Sequence, residues 1–221
     1  MLKAIVFDFD GTLLESAEIK TDAFAELFRD HPQYQREIIE YHLAHAGISR
    51  YVKFRAIYRD ILKRPLVQEE EELLGLTFQQ LIADKIAVCP FVPGARAFLN
   101  NVASQYKCFI ASGTPDAELC PLVVQRGLEK FFDEVHGAPT SKAAILQGIL
   151  RRHALAPSEV LGIGDALSDL EAAQSECIPF AGRVRAGEAA IFPHGSTVAL
   201  FHDFEELANE WSTLLARIAL P

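Results

Sequence analysis

Two carboxylates at the end of an apolar run are the residues of this chain with the clearest chemical meaning. Asp8 and Asp10 belong to the sequence DFDGT, where the apolar run Ala4–Phe9 ends. Residues two apart on an extended chain project to the same side, so both carboxylates can face one point. Because neighbouring carboxylates repel each other, such a pair normally binds a cation or divides into one ionised and one protonated acid. Gly11 permits the tight turn that brings backbone N–H groups close to a ligand.

The same D-x-D-G pattern also occurs in surface turns and in calcium-binding loops. A calcium loop needs further oxygen ligands and a Glu at a fixed spacing downstream, and residues 15–22 do not supply them. Here the pattern ends an apolar strand, so we expect it at the carboxyl edge of a sheet, where α/β proteins bind ligands. This position favours a functional site over a turn.

A second junction of this kind follows the apolar segment Lys107–Ala111. Ser112 and Gly113 come next, and Pro115 suits the first turn of a helix. A hydroxyl group and the backbone N–H groups at a helix N-terminus form a site for phosphate oxygens. Taken alone, the segment is equally compatible with an ordinary helix cap.

Lys142 follows Ser141 at the start of a predicted helix. A positive charge is unfavourable at the positive end of a helix, so the position indicates an anion within reach of the side chain. A solvent-exposed lysine is the simpler alternative.

The sequence GIGDALSD, residues 162–169, adds two more carboxylates after another apolar strand. Asp165 can complete an oxygen-rich magnesium site with Asp8, and Asp169 can brace that site or bind through water. Asp165 also suits the N-cap of the following helix, and the two roles do not exclude each other.

The elements that must position these residues alternate along the chain. Strands are predicted at Ala4–Phe9, Lys107–Ala111, Val160–Gly164 and Ile178–Gly182, with weaker candidates at Glu134–His136 and Thr197–Phe201. Helical patterns cover residues 94–104, 116–126, 141–153, 166–175 and 204–218. Alternation of this kind predicts an open α/β sheet with right-handed crossovers.

Residues 15–88 interrupt this alternation. They contain four helical patterns, at 16–29, 35–46, 49–63 and 68–88, and no convincing strand. A helical insert of this length, placed directly after the first strand, predicts a separate cap domain at 15–88 and a core domain at 1–14 and 89–221.

Composition restricts the class of protein. The 221 residues are 50% hydrophobic and 23% charged, as in an ordinary globular protein. The net charge of −9 argues against a nucleic-acid partner, since such binding normally rests on an excess of Lys and Arg. We expect neither a signal peptide nor a membrane-spanning segment. The four cysteines lie far apart and are expected to be reduced, which predicts a cytoplasmic location.

Together, the four polar junctions resemble the motifs of the haloacid dehalogenase-like hydrolase superfamily, in the same order and over essentially the whole chain. DFDGT resembles the nucleophile motif, Ser112 the phosphate-binding Ser/Thr, Lys142 the lysine, and GDALSD the acidic motif. The resemblance implies a Rossmann-like parallel sheet core with an inserted all-helical cap, and Mg²⁺ as the cofactor.

The resemblance also separates the reactions of this superfamily. Members that cleave carbon–halogen bonds typically lack an acid at the position of Asp10, so Asp10 and Thr12 favour phosphoryl transfer. Residues 47–50 are similar to the cap of the phosphoglycolate phosphatase and β-phosphoglucomutase-like branch, but Lys20 replaces the hinge histidine of β-phosphoglucomutase. We therefore expect a phosphatase acting on a small phosphorylated metabolite. A sugar-phosphate mutase and a non-catalytic protein that binds a phosphate ligand are the alternatives.

The resemblance assigns roles to individual residues. Asp8 is expected to attack phosphorus, and Asp10, kept protonated by the surrounding negative charge, to act as acid and then as base. The expected metal ligands are Asp8, Asp165 and the backbone carbonyl of Asp10, supported by Asp169. The residues expected to bind the substrate are Gly11, Thr12, Ser112, Gly113, Lys142 and, in the cap, Arg50.

Two features remain open. Arg50 lies in a basic stretch with Lys53 and Arg55, which can contact a second anionic group or simply form a solvated helix face. The protein is expected to be a monomer or a homodimer.

Overall fold

A computed structural model describes residues 1–219, and a six-stranded parallel sheet forms its centre. The strands are β1 (Ala4–Phe7), β2 (Lys107–Pro115), β3 (Glu134–Ala138), β4 (Val160–Gly164), β5 (Phe180–Arg183) and β6 (Ala199–Phe201). Their order is β3-β2-β1-β4-β5-β6, and every neighbouring pair is parallel. This arrangement confirms the predicted Rossmann-like parallel sheet.

The apolar runs form strands because both faces of the sheet are covered. Ile5 and Phe7 of β1 belong to a core cluster on one face, where the Phe7 ring lies 6.4 Å from that of Phe98. Ala4 and Val6 belong to a second cluster on the opposite face. A strand buried on both faces needs continuous apolar sequence rather than alternation, as β1 shows.

The part of the chain that the structure describes contains ten α-helices. Helices α1 (Ala17–Leu27), α2 (Gln35–Ala44), α3 (Arg50–Ala56) and α4 (Gln68–Val88) lie in the insert. The others are α5 (Ala95–Val102), α6 (Asp116–Gln125), α7 (Lys142–Arg152), α8 (Leu167–Ser175), α9 (Phe204–Asn209) and α10 (Trp211–Ala219). Among the described residues, no helix has both the length and the apolar character needed to cross a bilayer.

The insert is helical, as expected, and has an aromatic core. Phe24 of α1 packs against Phe54 of α3 and Phe78 of α4, with ring centroids 5.7 Å and 5.1 Å apart. A π-helical stretch, Ile57–Ile61, continues α3. The domain division at residues 14 and 88 remains a prediction, and residues 220–221 of the predicted core lie outside the described range.

The strand order brings the polar junctions together. The sheet reverses its direction of growth at the neighbouring strands β1 and β4, which leaves a crevice at their carboxyl ends. Strand β1 ends at Phe7, two residues earlier than predicted, and the Asp8 N–H then donates to the Ile163 carbonyl at 2.8 Å. This bond anchors Asp8 at the crevice.

Candidate active site

The crevice contains a cavity of 290 Å³ between the sheet and the insert. Asp8, Asp10, Ser112 and Asp165 line it from the sheet side. Three sequence segments that are far apart along the chain thus meet at one point. The sheet accounts for this because the carboxyl ends of β1, β2 and β4 lie at one edge.

Asp8, Asp165 and Asp169 form an acidic cluster. One carboxylate oxygen of each lies within 4.8 Å of those of the other two. Burial raises the pKa of Asp165 to about 6, and the charge of Asp169 adds to this effect. Burial also raises the pKa of Asp8 well above its ordinary value, despite the opposing charge of Lys142. A cation would relieve this repulsion, so the cluster is suited to holding a divalent metal ion.

Lys142, the first residue of α7, joins two members of the acidic cluster. Its Nζ lies 2.7 Å from Asp8 Oδ1 and 2.5 Å from Asp169 Oδ1, and all three side chains are buried. Burial alone would lower the pKa of Lys142, but the charges of Asp169 and Asp8 raise it above its ordinary value. The lysine is therefore a permanent cation beside Asp8.

Asp10 differs from the prediction in its charge state. Its Oδ2 lies 2.5 Å from Lys20 Nζ and accepts a hydrogen bond from Thr114 at 2.7 Å, while Ser16 donates to its Oδ1 at 2.8 Å. Burial would raise the pKa of Asp10, but the ammonium of Lys20 and the donated hydrogen bonds lower it below the ordinary value. The expectation of a protonated Asp10 is wrong because Lys20 of the insert forms an ion pair with it and favours the ionised carboxylate.

Gly11 and Thr12 support the acidic cluster in this structure. Gly11 has φ of 81°, and a Cβ atom there would lie 2.2 Å from Asp165 Oδ2, so only glycine fits. Thr12 Oγ1 donates to Asp165 Oδ1 at 3.0 Å. Arg183 of β5 donates to the Gly11 carbonyl at 2.6 Å and fixes the turn from behind.

The insert closes directly over the phosphate-binding candidates. A Cβ atom at Gly113 would lie 2.4 Å from the carbonyl oxygen of Gly47, in the loop between α2 and α3. Ser168 Oγ donates to the Ala46 carbonyl of the same loop at 2.9 Å. The Ser112 hydroxyl, beneath this loop, accepts from the Thr114 N–H at 3.1 Å.

Arg50 lines the cavity, yet the two terminal nitrogens of its guanidinium already have a partner. Both terminal nitrogens donate to the two carboxylate oxygens of Glu118, one of them at 2.8 Å. The pair joins α3 of the insert to α6 of the core. Binding of substrate by Arg50 would require this pairing to loosen.

Several residues that shape the cavity have no role predicted from the sequence. Lys20 stands out in the sequence only as the residue that replaces the hinge histidine near the start of the first helix of the insert, and that position was the available signal. Thr114 had no signal beyond its closeness to Ser112. For Arg183, the available signal was a charged residue within a strand of four residues, all of which are buried.

Comparison with known proteins agrees with this geometry. A model of the haloacid dehalogenase-like hydrolase family matches residues 2–175. A phosphoglycolate phosphatase of Synechococcus elongatus is 28% identical, over 78% of this chain and 79% of its own length. A phosphoglycolate phosphatase of Photorhabdus laumondii is 25% identical, over 100% of this chain and 94% of its own.

A solved structure shares the fold. A variant of CbbY from Rhodobacter sphaeroides, in complex with xylulose-1,5-bisphosphate, superimposes with a TM-score of 0.73 at 19% identity. The match covers 94% of this chain and 96% of that one.

Proposed function

Since the chain belongs to the haloacid dehalogenase-like hydrolase family and is a phosphatase, we propose that it hydrolyses a small phosphorylated metabolite through an aspartyl-phosphate on Asp8. The observation that carries this proposal is the environment of Asp8. Its carboxylate is buried at the end of β1, with Lys142 on one oxygen and two further carboxylates close by. The candidate nucleophile therefore has both a cation and a candidate metal site at its own carboxylate group.

In the first step, an oxygen of Asp8 bonds to phosphorus as the bond to the ester oxygen breaks. The leaving oxygen needs a proton, and the ammonium of Lys20 is the acid paired with Asp10. That proton passes from Lys20 directly or through Asp10. In the second step, water attacks phosphorus as its bond to the Asp8 oxygen breaks, which releases inorganic phosphate and regenerates the Asp8 carboxylate. The ionised Asp10 takes a proton from this water and returns it to the Lys20 amine.

The phosphoryl oxygens need donors while charge spreads over them. The Ser112 hydroxyl, the Gly113 N–H and Lys142 are proposed to supply them, with the backbone at Gly11 and Thr12 completing the cradle. Arg50 is proposed to reach the substrate only after its bond with Glu118 loosens.

The acidic cluster is proposed to hold Mg²⁺. Hard oxygen donors suit this ion, and the donors would be Asp8, Asp165 and the backbone carbonyl of Asp10, with Asp169 reached directly or through water. The bound ion would reduce the repulsion between the Asp8 carboxylate and the anionic substrate. The pKa of Asp165, raised by burial to about 6, is consistent with a group that requires a cation.

Residues 15–88 are proposed to act as a cap that opens for substrate and closes to exclude bulk water. The contact of the Gly47 loop with Gly113 corresponds to a closed cap. The four cysteines are free, which fits a reducing compartment, so we propose a cytoplasmic location for a monomer or homodimer.

The substrate is proposed to resemble phosphoglycolate, since the similar proteins are phosphoglycolate phosphatases. The mutase alternative is less well supported, since Lys20 holds the hinge position and forms an ion pair with Asp10. A mutase would interconvert phosphate esters without releasing inorganic phosphate.

Replacement of the nucleophile tests the mechanism. Asp8→Asn is expected to abolish phosphate release from phosphoglycolate while thermal unfolding shows a folded protein, because an amide cannot form the acyl phosphate. The matched control is Asp84→Asn, at an exposed position of α4. The wild type, quenched in acid with labelled substrate, should retain label that hydroxylamine releases. Turnover by Asp8→Asn near the wild-type rate would contradict the mechanism.

A further inference from the structure

We propose that Lys53, in the insert, binds a carboxylate of the substrate, so that the enzyme selects phosphate monoesters that carry this second anionic group. This inference rests on the proposed phosphatase function and adds the residue that selects the substrate. Lys53 lies in α3 and lines the cavity that also contains Asp8. One cavity thus joins the nucleophile in the core to a cation in the insert.

Among the described residues, Lys53 has no ion-pair partner. Its side chain is buried, and its Nζ lies 5.4 Å from the centre of the Phe24 ring. The other two lysines at the site are neutralised, Lys20 by Asp10 and Lys142 by two carboxylates. For Lys53, residues 1–219 provide no carboxylate within 4.0 Å.

Burying an ammonium without a counter-ion costs free energy, and the lowered pKa of Lys53 reflects this cost. Burial, together with the charges of Lys20 and Lys142, lowers the pKa of Lys53 to about 7. A negatively charged group in the cavity would offset the cost, because a buried charge is tolerated when it is paired and hydrogen-bonded. Lys53 therefore brings to the insert end of the cavity a cationic group that has no carboxylate of residues 1–219 within 4.0 Å.

His42 holds the ammonium in place and leaves one donor free. Lys53 Nζ lies 3.2 Å from His42 Nδ1 and donates to the His42 carbonyl at 3.1 Å. Burial and the charge of Lys53 lower the pKa of His42 to about 3, so the ring is neutral and Nδ1 accepts. Nε2–H then donates to Thr21 Oγ1 at 3.3 Å, and Thr21 donates to the Ala17 carbonyl. An ammonium has three N–H donors, so one remains for a ligand.

The charge count favours a carboxylate over a second phosphate. Lys53 contributes one positive charge and one free donor, which match one singly charged carboxylate. A phosphate dianion would need further donors and charge, but both terminal nitrogens of the nearby Arg50 bind Glu118 and leave only its Nε without a partner among the described residues. The neutral His42 adds no charge.

A pair of substrates that differ only in the second group tests this inference. Phosphoglycolate carries a carboxylate, and 2-hydroxyethyl phosphate carries a neutral hydroxymethyl group in its place. Lys53→Met is expected to lower kcat/KM for phosphoglycolate about 10- to 100-fold, the value of a buried charged hydrogen bond. The loss should lie mainly in KM, and 2-hydroxyethyl phosphate should change by less than about threefold. Lys85→Met, at an exposed position of α4, is the matched control and should change neither.

The outcomes separate the two proposals. Equal losses for both substrates, or no loss for either, would overturn the role of Lys53 and leave the phosphatase function intact. If the wild type hydrolyses neither ester, the proposed function on these substrates fails. Calorimetric titration of phosphoglycolate into Asp8→Asn and Asp8→Asn/Lys53→Met then still decides whether Lys53 binds the carboxylate, since it does not require turnover. Equal affinities would overturn the inference.

Discussion

The aspartates of this site have opposite proton affinities although they lie within one cavity. Asp10 is buried, but Lys20 and two hydroxyl groups lower its pKa. Burial and the charge of Asp169 raise the pKa of Asp165 to about 6. Burial acts in the same direction on both carboxylates, so their partners account for the difference: Lys20 and the hydroxyl groups keep Asp10 ionised, whereas Asp169 adds to the effect of burial on Asp165 and favours a bound cation.

At the residue scale, the isolated charge of Lys53 predicts a pH-dependent stability. Lysine in an unfolded chain titrates near 10.5, whereas burial lowers the pKa of Lys53 to about 7 in the folded protein. The stability of the folded protein that the uncharged form of Lys53 provides is therefore fully present above the pKa of the unfolded state. It declines as the pH falls and is lost below about pH 7. Methionine does not titrate, so its contribution to stability does not depend on pH in this way. The stability of Lys53→Met relative to wild type should rise from pH 10 to pH 7, by on the order of 4 kcal/mol.

Urea unfolding of both proteins at several pH values measures this difference. Lys20, Lys142 and His42 also face Lys53, but they are present in both proteins, so their direct contributions largely cancel. The exposed Lys85→Met variant should follow the wild type at every pH. A difference between Lys53→Met and wild type that stays constant from pH 10 to pH 7 would show that Lys53 carries no buried charge.

At the scale of elements, the site depends on how closely the Gly47 loop approaches the end of β2. Gly113 follows Ser112 in β2, and its Cα hydrogen faces the carbonyl of Gly47 without room for a side chain. Ser168 and the Arg50–Glu118 pair add further contacts between core and insert. The insert is therefore positioned over the site by backbone shape as well as by charge.

A methyl group at Gly113 should separate the two elements. In Gly113→Ala the Cβ atom would meet the Gly47 backbone at 2.4 Å, so the loop must move outward. We expect kcat/KM to fall about 10- to 100-fold, because displacements of about 1 Å at an active site cost this much. Steady-state kinetics measures the effect.

The matched control for this substitution is Gly148→Ala in α7. A Cβ atom there meets only the end of the flexible Arg152 side chain, at 2.7 Å, so activity should be retained. Full activity of Gly113→Ala would mean that the contact of the Gly47 loop with β2 is not part of the working state.

At the scale of the whole molecule, the acidic cluster joins parts of the chain that lie far apart. Asp8 follows β1, whereas Asp165 and Asp169 follow β4. A metal ion bound there would stabilise the folded state over the unfolded one, in which the site does not exist. The site and the stability of the sheet are thus expected to depend on each other.

Metal removal tests this connection. EDTA should abolish phosphate release, and excess Mg²⁺ should restore it and raise the melting temperature by about a few degrees. Asp165→Asn should lose most of this rise, whereas the exposed Asp84→Asn should keep it. Differential scanning calorimetry with and without Mg²⁺ provides the measurement. Unchanged activity and melting temperature in EDTA would rule out the metal site.

The fold could be predicted because its signals are local. The apolar runs before Asp8, Ser112 and Asp165 indicated buried parallel strands, and the strand order confirms them. The family and its phosphatase activity were likewise predicted from the polar junctions, and the comparisons confirm them. The charge of Asp10 was predicted wrongly because the fold of the insert brings Lys20 onto it, and a second partner, Thr114, lies 104 residues away.

The sequence alone determined which residues meet at the carboxyl edge, because parallel strands gather their ends there whatever the details of packing. Tertiary structure alone decided how those residues are charged. Arg50 pairs with Glu118, and Lys53 is buried beside His42, with no carboxylate of residues 1–219 within 4.0 Å. Proton affinity depends on burial and on neighbours across space, and no local pattern in the chain encodes either.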